Sequence, residues 1–184
     1  MRTLAAALVH YPILDRQGAT VTTAITNLDL HDIARSSHTY GLAALYIVHP
    51  IAAQRELALR VKEHWIEGSG ARRIPDRTPA MRVLQVVASL EDAERACGAE
   101  VELWTTSASP RERVLSHPEA RERLNGEGPP VLLVFGTGWG LAEAVCTRAH
   151  AHLAPIRSVR DDGYNHLSVR AAAAILFDRL RGER

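Results

Sequence analysis

Lysine is nearly missing from this chain: Lys62 is the sole one among 22 basic residues, so arginine carries almost all of the positive charge. Arginine suits bidentate recognition of phosphate better than lysine does, and the same bias also follows from a GC-rich coding sequence. There is no excess of either sign. The 22 basic residues face 21 acidic ones, a formal net charge of +1, so net charge argues for neither a nucleic-acid nor an acidic-surface partner, and any basic surface must be local. Cysteine is scarce as well. Cys97 and Cys146 are isolated and form no CxxC, which excludes a disulfide framework and a cysteine zinc site and fits a reducing cytoplasm. His31 with His38, and His150 with His152, come without a further ligand set, so no metal is expected. No apolar run reaches the length that spans a membrane. The opening Met1 to Val9 resembles a signal peptide only faintly, because its apolar core stops at His10-Tyr11-Pro12 without a small-residue cleavage site.

What is present is 184 residues, 46% of them hydrophobic. That is enough for one domain over residues 1–184 and too little for two ordinary ones. Leu4 to Tyr11 is a continuous apolar run, suited to a strand buried on both faces. Thr26 or Asn27 caps a helix that carries acids in its first turn and stops at Gly41. A strand follows over Ala43 to Val48. The spacing predicts a helix over Ile51 to Glu67, with Leu57, Val61 and Trp65 on one face. From Gly68 to Pro79 the pattern breaks into a flexible, basic loop. Met81 to Ala88 reads as a strand, Leu90 to Ala96 as a short helix and Val101 to Thr105 as another strand. The polar turn Thr105 to Pro110 leads to a charged helix over Arg111 to Leu124. Ala151 to Ile156 is a last strand, and the alanine-rich stretch from Asn165 to Leu180 a last helix. Strands alternating with helices imply an α/β fold with a largely parallel sheet flanked by helices.

The most informative stretch is Val131 to Leu141, where an apolar run ends in three alternating glycines, Gly136, Gly138 and Gly140. A short β-branched and aromatic run after Gly128-Pro129-Pro130 reads as a buried strand. Glycines there let the backbone turn sharply and bring bare N–H and C=O groups near a ligand, and a helix is expected from Leu141 to Val145. Glycines at a tight turn also occur for geometry alone. The loop lies in the last third of the chain, whereas a dinucleotide fingerprint follows the first strand and has an acidic residue about 20 positions further on; the GxGxxG reading is therefore weak. Parallel sheets bind ligands at the carboxyl ends of their strands. Three polar turns fall there, Thr105 to Ser109, Gly136 to Gly140 and Ile156 to Ser168, and they are expected to converge.

With those turns in hand the chain resembles a SPOUT-superfamily RNA methyltransferase, and specifically the small bacterial family of S-adenosylmethionine-dependent RNA methyltransferases. The resemblance rests on His10-Tyr11-Pro12, Thr26-Asn27-Leu28-Asp29 with His31 to Arg35, Gly136-Thr137-Gly138-Trp139-Gly140-Leu141, and Asn165 to Ala173. It implies a single SPOUT-like domain over 1–184 with a C-terminal deep trefoil knot, a cytoplasmic homodimer, and S-adenosyl-L-methionine held mainly by backbone groups of three loops. Carried over by position, these are Thr106, Ser107 and Ala108, then Gly136, Thr137 and Gly138, then Ile156, Leu167 and Ser168.

In the related ribose 2′-O-methyltransferases an asparagine precedes a catalytic arginine by six residues. Here the positions are Asp29 and Arg35, so the arginine is kept and the asparagine is not, which leaves the substrate atom open. Arg35 would bind phosphate and stabilise a developing oxyanion, and Asp29, Asp32 or His31 would accept a proton. An Asp32 to Arg35 ion pair at i, i+3 competes with that reading. Asn165 and His166 would orient substrate, with helix capping as the alternative for Asn165 and for Ser107. Trp139, Leu141 and Leu167 would exclude water from the reacting methyl, or, for the first two, simply pack in the core. Arg72, Arg73 and Arg77, with nearby Arg82, form the candidate phosphate-contacting patch. The implied function is methyl transfer to RNA, tRNA or rRNA, at a ribose 2′-hydroxyl or a base nitrogen. The alternatives are a non-catalytic knotted protein that binds RNA or cofactor, and another α/β nucleotide-binding enzyme.

Overall fold

The first strand, β1 (Leu4–Val9), is buried at every position, and its side chains divide between two cores. Leu4, Ala6 and Leu8 enter one; Ala5, Ala7 and Val9 enter the other. Such alternation between two apolar layers marks a strand covered on both faces. The computed structural model describes residues 1–109, 111–112 and 114–183. Within it, β1 is an interior strand of a seven-stranded sheet with β4 (Leu45–Val48), β5 (Leu84–Val87), β6 (Glu102–Thr105), β7 (Val114–Leu115), β8 (Val131–Gly136) and β9 (Ala151–Leu153). The order is β5-β4-β1-β8-β6-β9-β7, and every pairing in it is parallel. A small antiparallel hairpin, β2 (Ile13–Leu14) with β3 (Thr20–Val21), stands apart from the sheet.

Helices cover both faces. On one side lie α1 (Asn27–Thr39), α2 (Ala52–Ile66), α4 (Thr78–Arg82), α6 (His117–Asn125) and α8 (Val169–Arg181), which deliver Ile33, Ala58, Met81, Leu124 and Phe177 to the first core. Phe177 meets Phe135 of β8 edge to face at 5.7 Å. On the other side, α5 (Leu90–Cys97) supplies Leu90 and Ala93, and α7 (Glu143–Thr147) supplies Val145 and Cys146. The expected α/β architecture, a largely parallel sheet flanked by helices, is the one observed.

Several local expectations are corrected. Leu57 points outward at 45% exposure and Ala58 is the fully buried residue of α2, so the inner face is Ala58, Val61 and Trp65 at i, i+3 and i+7 rather than a fourfold row. The segment from Gly68 to Pro79 is not an open loop: α3 (Ser69–Arg73), a 3₁₀ turn (Pro75–Arg77) and α4 fold it against α2. Thr78 Oγ1 donates to the Trp65 carbonyl at 2.8 Å there. The strand expected from Met81 begins only at Leu84, because Met81 and Arg82 finish α4. The charged helix expected over Arg111 to Leu124 starts at His117, and Val114–Leu115 forms β7 instead. Its boundary is a capping box, with Ser116 accepting from the Glu119 amide and Glu119 accepting from that of Ser116. Pro110, the end of the expected turn, and Arg113, inside the expected helix, lie outside the described residues. α7 starts at Glu143 rather than Leu141, β9 stops at Leu153, and α8 starts at Val169 behind its cap, Ser168.

Candidate active site

β6, β8 and β9 are neighbours, and the loops leaving their carboxyl ends line one cleft of about 690 Å³. That volume lies in the range of small-molecule sites, roughly 300–1,000 Å³. Thr106 to Ser109, Phe135 to Gly140, and Ile156 with Asn165 to Ser168 form most of the lining, and Ala24, Thr26, Asp29 and Arg170 are among the rest. The three turns thus share one site. It lies where the strand order reverses, since the chain runs outward from β1 to β4 and β5, then returns past it to β6 and β8.

The glycine loop is shaped by the protein on its inner side. A Cβ on Gly136 would lie 2.8 Å from the Leu141 nitrogen, and one on Gly138, at φ +53°, would lie 3.0 Å from Ile13 Cγ2. Glycine at these two positions lets the loop close onto the 12–14 segment, where Leu14 N donates to the Gly140 carbonyl at 2.9 Å and Trp139 N to the Leu14 carbonyl at 3.1 Å. The amides of Thr137 and Gly138 have no hydrogen-bond partner among the described residues. They belong to a loop lining the cleft, which suits a ligand with acceptor atoms. Leu141 is core at 4% exposure, whereas Trp139 stands at the rim, 67% exposed.

Thr137 is anchored by a relay that its place in the sequence does not betray. His10 Nδ1 lies 3.0 Å from Thr23 Oγ1, Thr23 Oγ1 contacts Thr137 Oγ1, and Thr137 Oγ1 reaches the Val9 carbonyl at 3.2 Å. A carbonyl only accepts, so the protons run one way, from His10 Nδ1–H to Thr23, from Thr23 to Thr137 and from Thr137 to Val9. His10 Nε2 is left buried without a partner. The ring is therefore neutral: burial first, then the neighbouring His49, push its pKa down to about 4. His49 is oriented too, donating from Nε2 to the Thr23 carbonyl at 3.0 Å and accepting at Nδ1 from the Ile51 amide at 3.1 Å.

On the α1 side the charged residues pair differently from the expectation. Thr26 caps the helix, accepting from the Asp29 amide and donating to Asp29 Oδ2 at 2.6 Å. Asp29 Oδ1 takes a hydrogen bond of 2.9 Å from Arg170 Nη1, and Asp32 lies 3.4 Å from Arg170 Nε. Arg170 thus stands in the place that the i, i+3 pairing gave to Arg35. Arg35 is exposed and does not line the cleft, and neither does Asp32. His31 does not line it either, its ring stacked edge to face with Trp65 at 5.2 Å; burial, then Arg77, lower its pKa.

Asn165 caps no helix; its Nδ2 donates to the Ile156 carbonyl at 2.9 Å and so folds the third loop on itself. Ser107 caps none either, since its Oγ accepts from the Ser109 amide at 3.1 Å in a local turn. Ile156, Leu167 and Ser168 line the cleft together with His166. In the basic segment, Arg72, Arg73 and Arg82 are exposed, while Arg77 lies over the Trp65 ring at 4.4 Å. Among the described residues no group of His, Cys, Asp and Glu is arranged to hold a metal.

The model of the family described as SAM-dependent RNA methyltransferase matches residues 3–182. The chain belongs to this family. It is 44% identical over 186 residues to the tRNA (guanine-N(1)-)-methyltransferase of Oleidesulfovibrio alaskensis, a match that covers 99% of this chain and 43% of that protein. The chain therefore spans less than half the length of this relative and of the similarly matched protein of Nitratidesulfovibrio vulgaris. Among solved structures, TrmJ from Z. mobilis ZM4 superposes with a TM-score of 0.63 at 13% identity, over all of this chain and 70% of that one. The SpoU methyltransferase AviRb from Streptomyces viridochromogenes, in complex with AdoMet, superposes with a TM-score of 0.53 at 16% identity, over 97% and 56%. At such identities the likeness is one of fold.

Proposed function

We propose that this chain is a single-domain, homodimeric, cytoplasmic methyltransferase that moves a methyl group from S-adenosyl-L-methionine to tRNA or rRNA. The observation that carries the reading is the convergence of three small-residue loops on one cleft at the carboxyl end of a parallel sheet. The cleft suits the cofactor in size and in chemistry. Backbone donors at Thr137 and Gly138 have no partner among the described residues, while Ile156 and Leu167 offer apolar contact to a ring. On this reading Thr106, Ser107, Ala108, Gly136, Thr137, Gly138, Ile156, Leu167 and Ser168 hold the cofactor. No step requires a metal.

When bound, the cofactor supplies a methyl activated by its sulfonium; the chain has to align the nucleophile and relieve it of a proton. Of the side chains lining the cleft, Asp29 and His166 can accept one. Asp29 is already engaged by Thr26 and Arg170, so its role is to fix that corner of the site. His166 is exposed beside the cofactor loop and is the freer acceptor. Arg35 lies outside its own cleft, and a second copy of the chain would bring it to the partner's site. Asp32 then holds Arg170 from the solvent side, Asn165 shapes the third loop, and Arg72, Arg73 and Arg77 track the RNA backbone, with Arg77 also packing on Trp65. The trefoil knot belongs to the same reading: β8 inserts between β1 and β6, both laid down earlier in the chain, and α8 returns across α1 and α6.

The tRNA (guanine-N1) activity for which the longer relatives are named is not carried over, since 43% of their length is matched here; the acceptor is a ribose 2′-hydroxyl or a base nitrogen. The test is transfer of labelled methyl to unfractionated tRNA and rRNA. Label retained in either supports the enzyme. Binding of cofactor and RNA without transfer supports the rival, a knotted binding protein, which gains from the absence of Arg35 from the cleft.

A further inference from the structure

Arg170 stands where electrostatics disfavours it. It is the second residue of α8, in the first turn, where the helix dipole is positive and a cation is destabilised. Two carboxylates from a different helix offset this, Asp29 at 2.9 Å and Asp32 at 3.4 Å. The two acids are not equivalent. Asp29 has 9% of its side chain exposed and a second donor in Thr26, so it is a fixed part of the structure; Asp32, 47% exposed, is largely screened by water.

The guanidinium has five N–H donors in a planar fork. Nη1 spends one on Asp29 and Nε faces Asp32, while Nη2 makes no hydrogen bond among the described residues. Arg170 is 31% exposed, and it is the one Arg or Lys among the residues lining the cleft. Asp29 thus holds it at the mouth with an edge of donors uncommitted, in the planar geometry that matches phosphate oxygens.

We propose that Arg170 is a substrate-binding residue whose free edge contacts a phosphodiester of the acceptor RNA at the mouth of the cofactor cleft, with Asp29 as the residue that positions it. This rests on the methyltransferase reading above. Arg170 sets where the RNA backbone lies, and with it which nucleotide reaches the cleft. The acid at position 29, where related enzymes keep an asparagine, is then the buried anchor of a half-exposed arginine rather than a proton acceptor.

The test uses Arg170→Gln, Arg170→Lys, and the double variant Arg170→Gln/Asp29→Asn, which leaves no buried acid unpaired if the single variant folds poorly. Filter binding to unfractionated tRNA and rRNA is followed over a salt series with S-adenosylhomocysteine present, and the affinity for S-adenosylhomocysteine is measured separately. Loss of one phosphate contact weakens RNA binding by about tenfold for Arg170→Gln. It also lowers the slope of log affinity against log salt by roughly 0.7–0.9. Arg170→Lys keeps the slope, and the affinity for S-adenosylhomocysteine stays within about twofold. The double variant, in a folded chain, shows the same loss as Arg170→Gln. RNA affinity and salt slope equal to wild type overturn the proposal: with weaker S-adenosylhomocysteine binding, Arg170 holds the cofactor's carboxylate; with only a lower melting temperature, the pair is structural. A wild-type chain that binds neither RNA overturns this proposal together with the reading beneath it, whereas normal wild-type binding with an unchanged variant overturns the role of Arg170 alone.

Discussion

Arg170 and Asp29, 141 residues apart in the chain, meet at 2.9 Å where the first and last helices cross. The pair ties α8 to α1 beside the cleft, and half of it is buried. Removing the cation by Arg170→Ala leaves the Asp29 carboxylate without its charged partner. Breaking a fully buried pair costs about 3–5 kcal/mol, and the 31% exposure of Arg170 reduces this to about 1–3 kcal/mol. The urea midpoint is expected to fall accordingly, and Asp29→Asn in the same chain should recover part of the loss. A midpoint unchanged in Arg170→Ala contradicts a structural role for the pair.

Two glycines separate binding from stability. Gly136→Ala places a methyl 2.8 Å from the Leu141 nitrogen, backbone that cannot step aside, so the loop must shift. Its affinity for S-adenosylhomocysteine is expected to fall by more than about tenfold, or roughly 1.4 kcal/mol. Gly18→Ala, at φ +83° with open space around it, meets only the intrinsic penalty of a left-handed residue, about 1–2 kcal/mol of stability, and leaves cofactor affinity unchanged. Equal affinities in the two variants, measured by titration calorimetry, count against a role for loop shape in cofactor binding.

His10 makes stability depend on pH. Its folded pKa, about 4, lies below the ordinary 6.5 because the ring is buried and faces His49. Above pH 6.5 the ring is neutral in both states and costs nothing. As pH falls from 6.5 toward 4 the unfolded chain takes up a proton that the folded one refuses, so stability declines, by on the order of 3 kcal/mol for the full interval. Melting temperatures at pH 7.5 and 5 should show the fall in wild type and a smaller one in His10→Gln. An equal fall in both places the effect elsewhere, with His49 the next candidate, since burial lowers its pKa too.

Arg35→Ala is expected to abolish methyl transfer while leaving cofactor affinity within about twofold, or roughly 0.4 kcal/mol. Because Arg35 does not line the cleft of its own chain, mixed dimers of Arg35→Ala with Gly136→Ala should regain activity: one intact cleft then meets one intact Arg35. Turnover unaffected by Arg35→Ala removes it from the mechanism. An inactive variant that no mixture rescues argues against action across an interface.

What the sequence revealed and what it hid follow one physical divide. β1, with six buried residues in a row, the Thr26 cap, and the glycine-punctuated end of β8 are encoded by neighbours in the chain, and so were legible. The segment 68–79 looked like a loop because its glycines, prolines and arginines lack helical period; what holds it is packing against α2 and the Thr78 bond to Trp65. β7 has two residues and no pattern of its own, although the Ser116 and Glu119 capping box did mark the true start of α6. In the site, the three turns could be placed at strand ends. Their shared cleft depends on β8 lying between β1 and β6, a matter of topology. The Asp29 to Arg170 pair and the relay from His10 through Thr23 to Thr137 join residues far apart, and no spacing announces them. The competing Asp32 to Arg35 pair is the one local periodicity favours, and a distant arginine displaced it.

Calorimetric titration of the wild-type chain with S-adenosylmethionine, and with S-adenosylhomocysteine as product, tests the three-loop cleft most directly. A cofactor site there gives saturable binding of both at one site per chain, weakened by Gly136→Ala and unaffected by Gly18→Ala. Heat no greater than dilution for either ligand, with tRNA and rRNA present as well as without them, contradicts it.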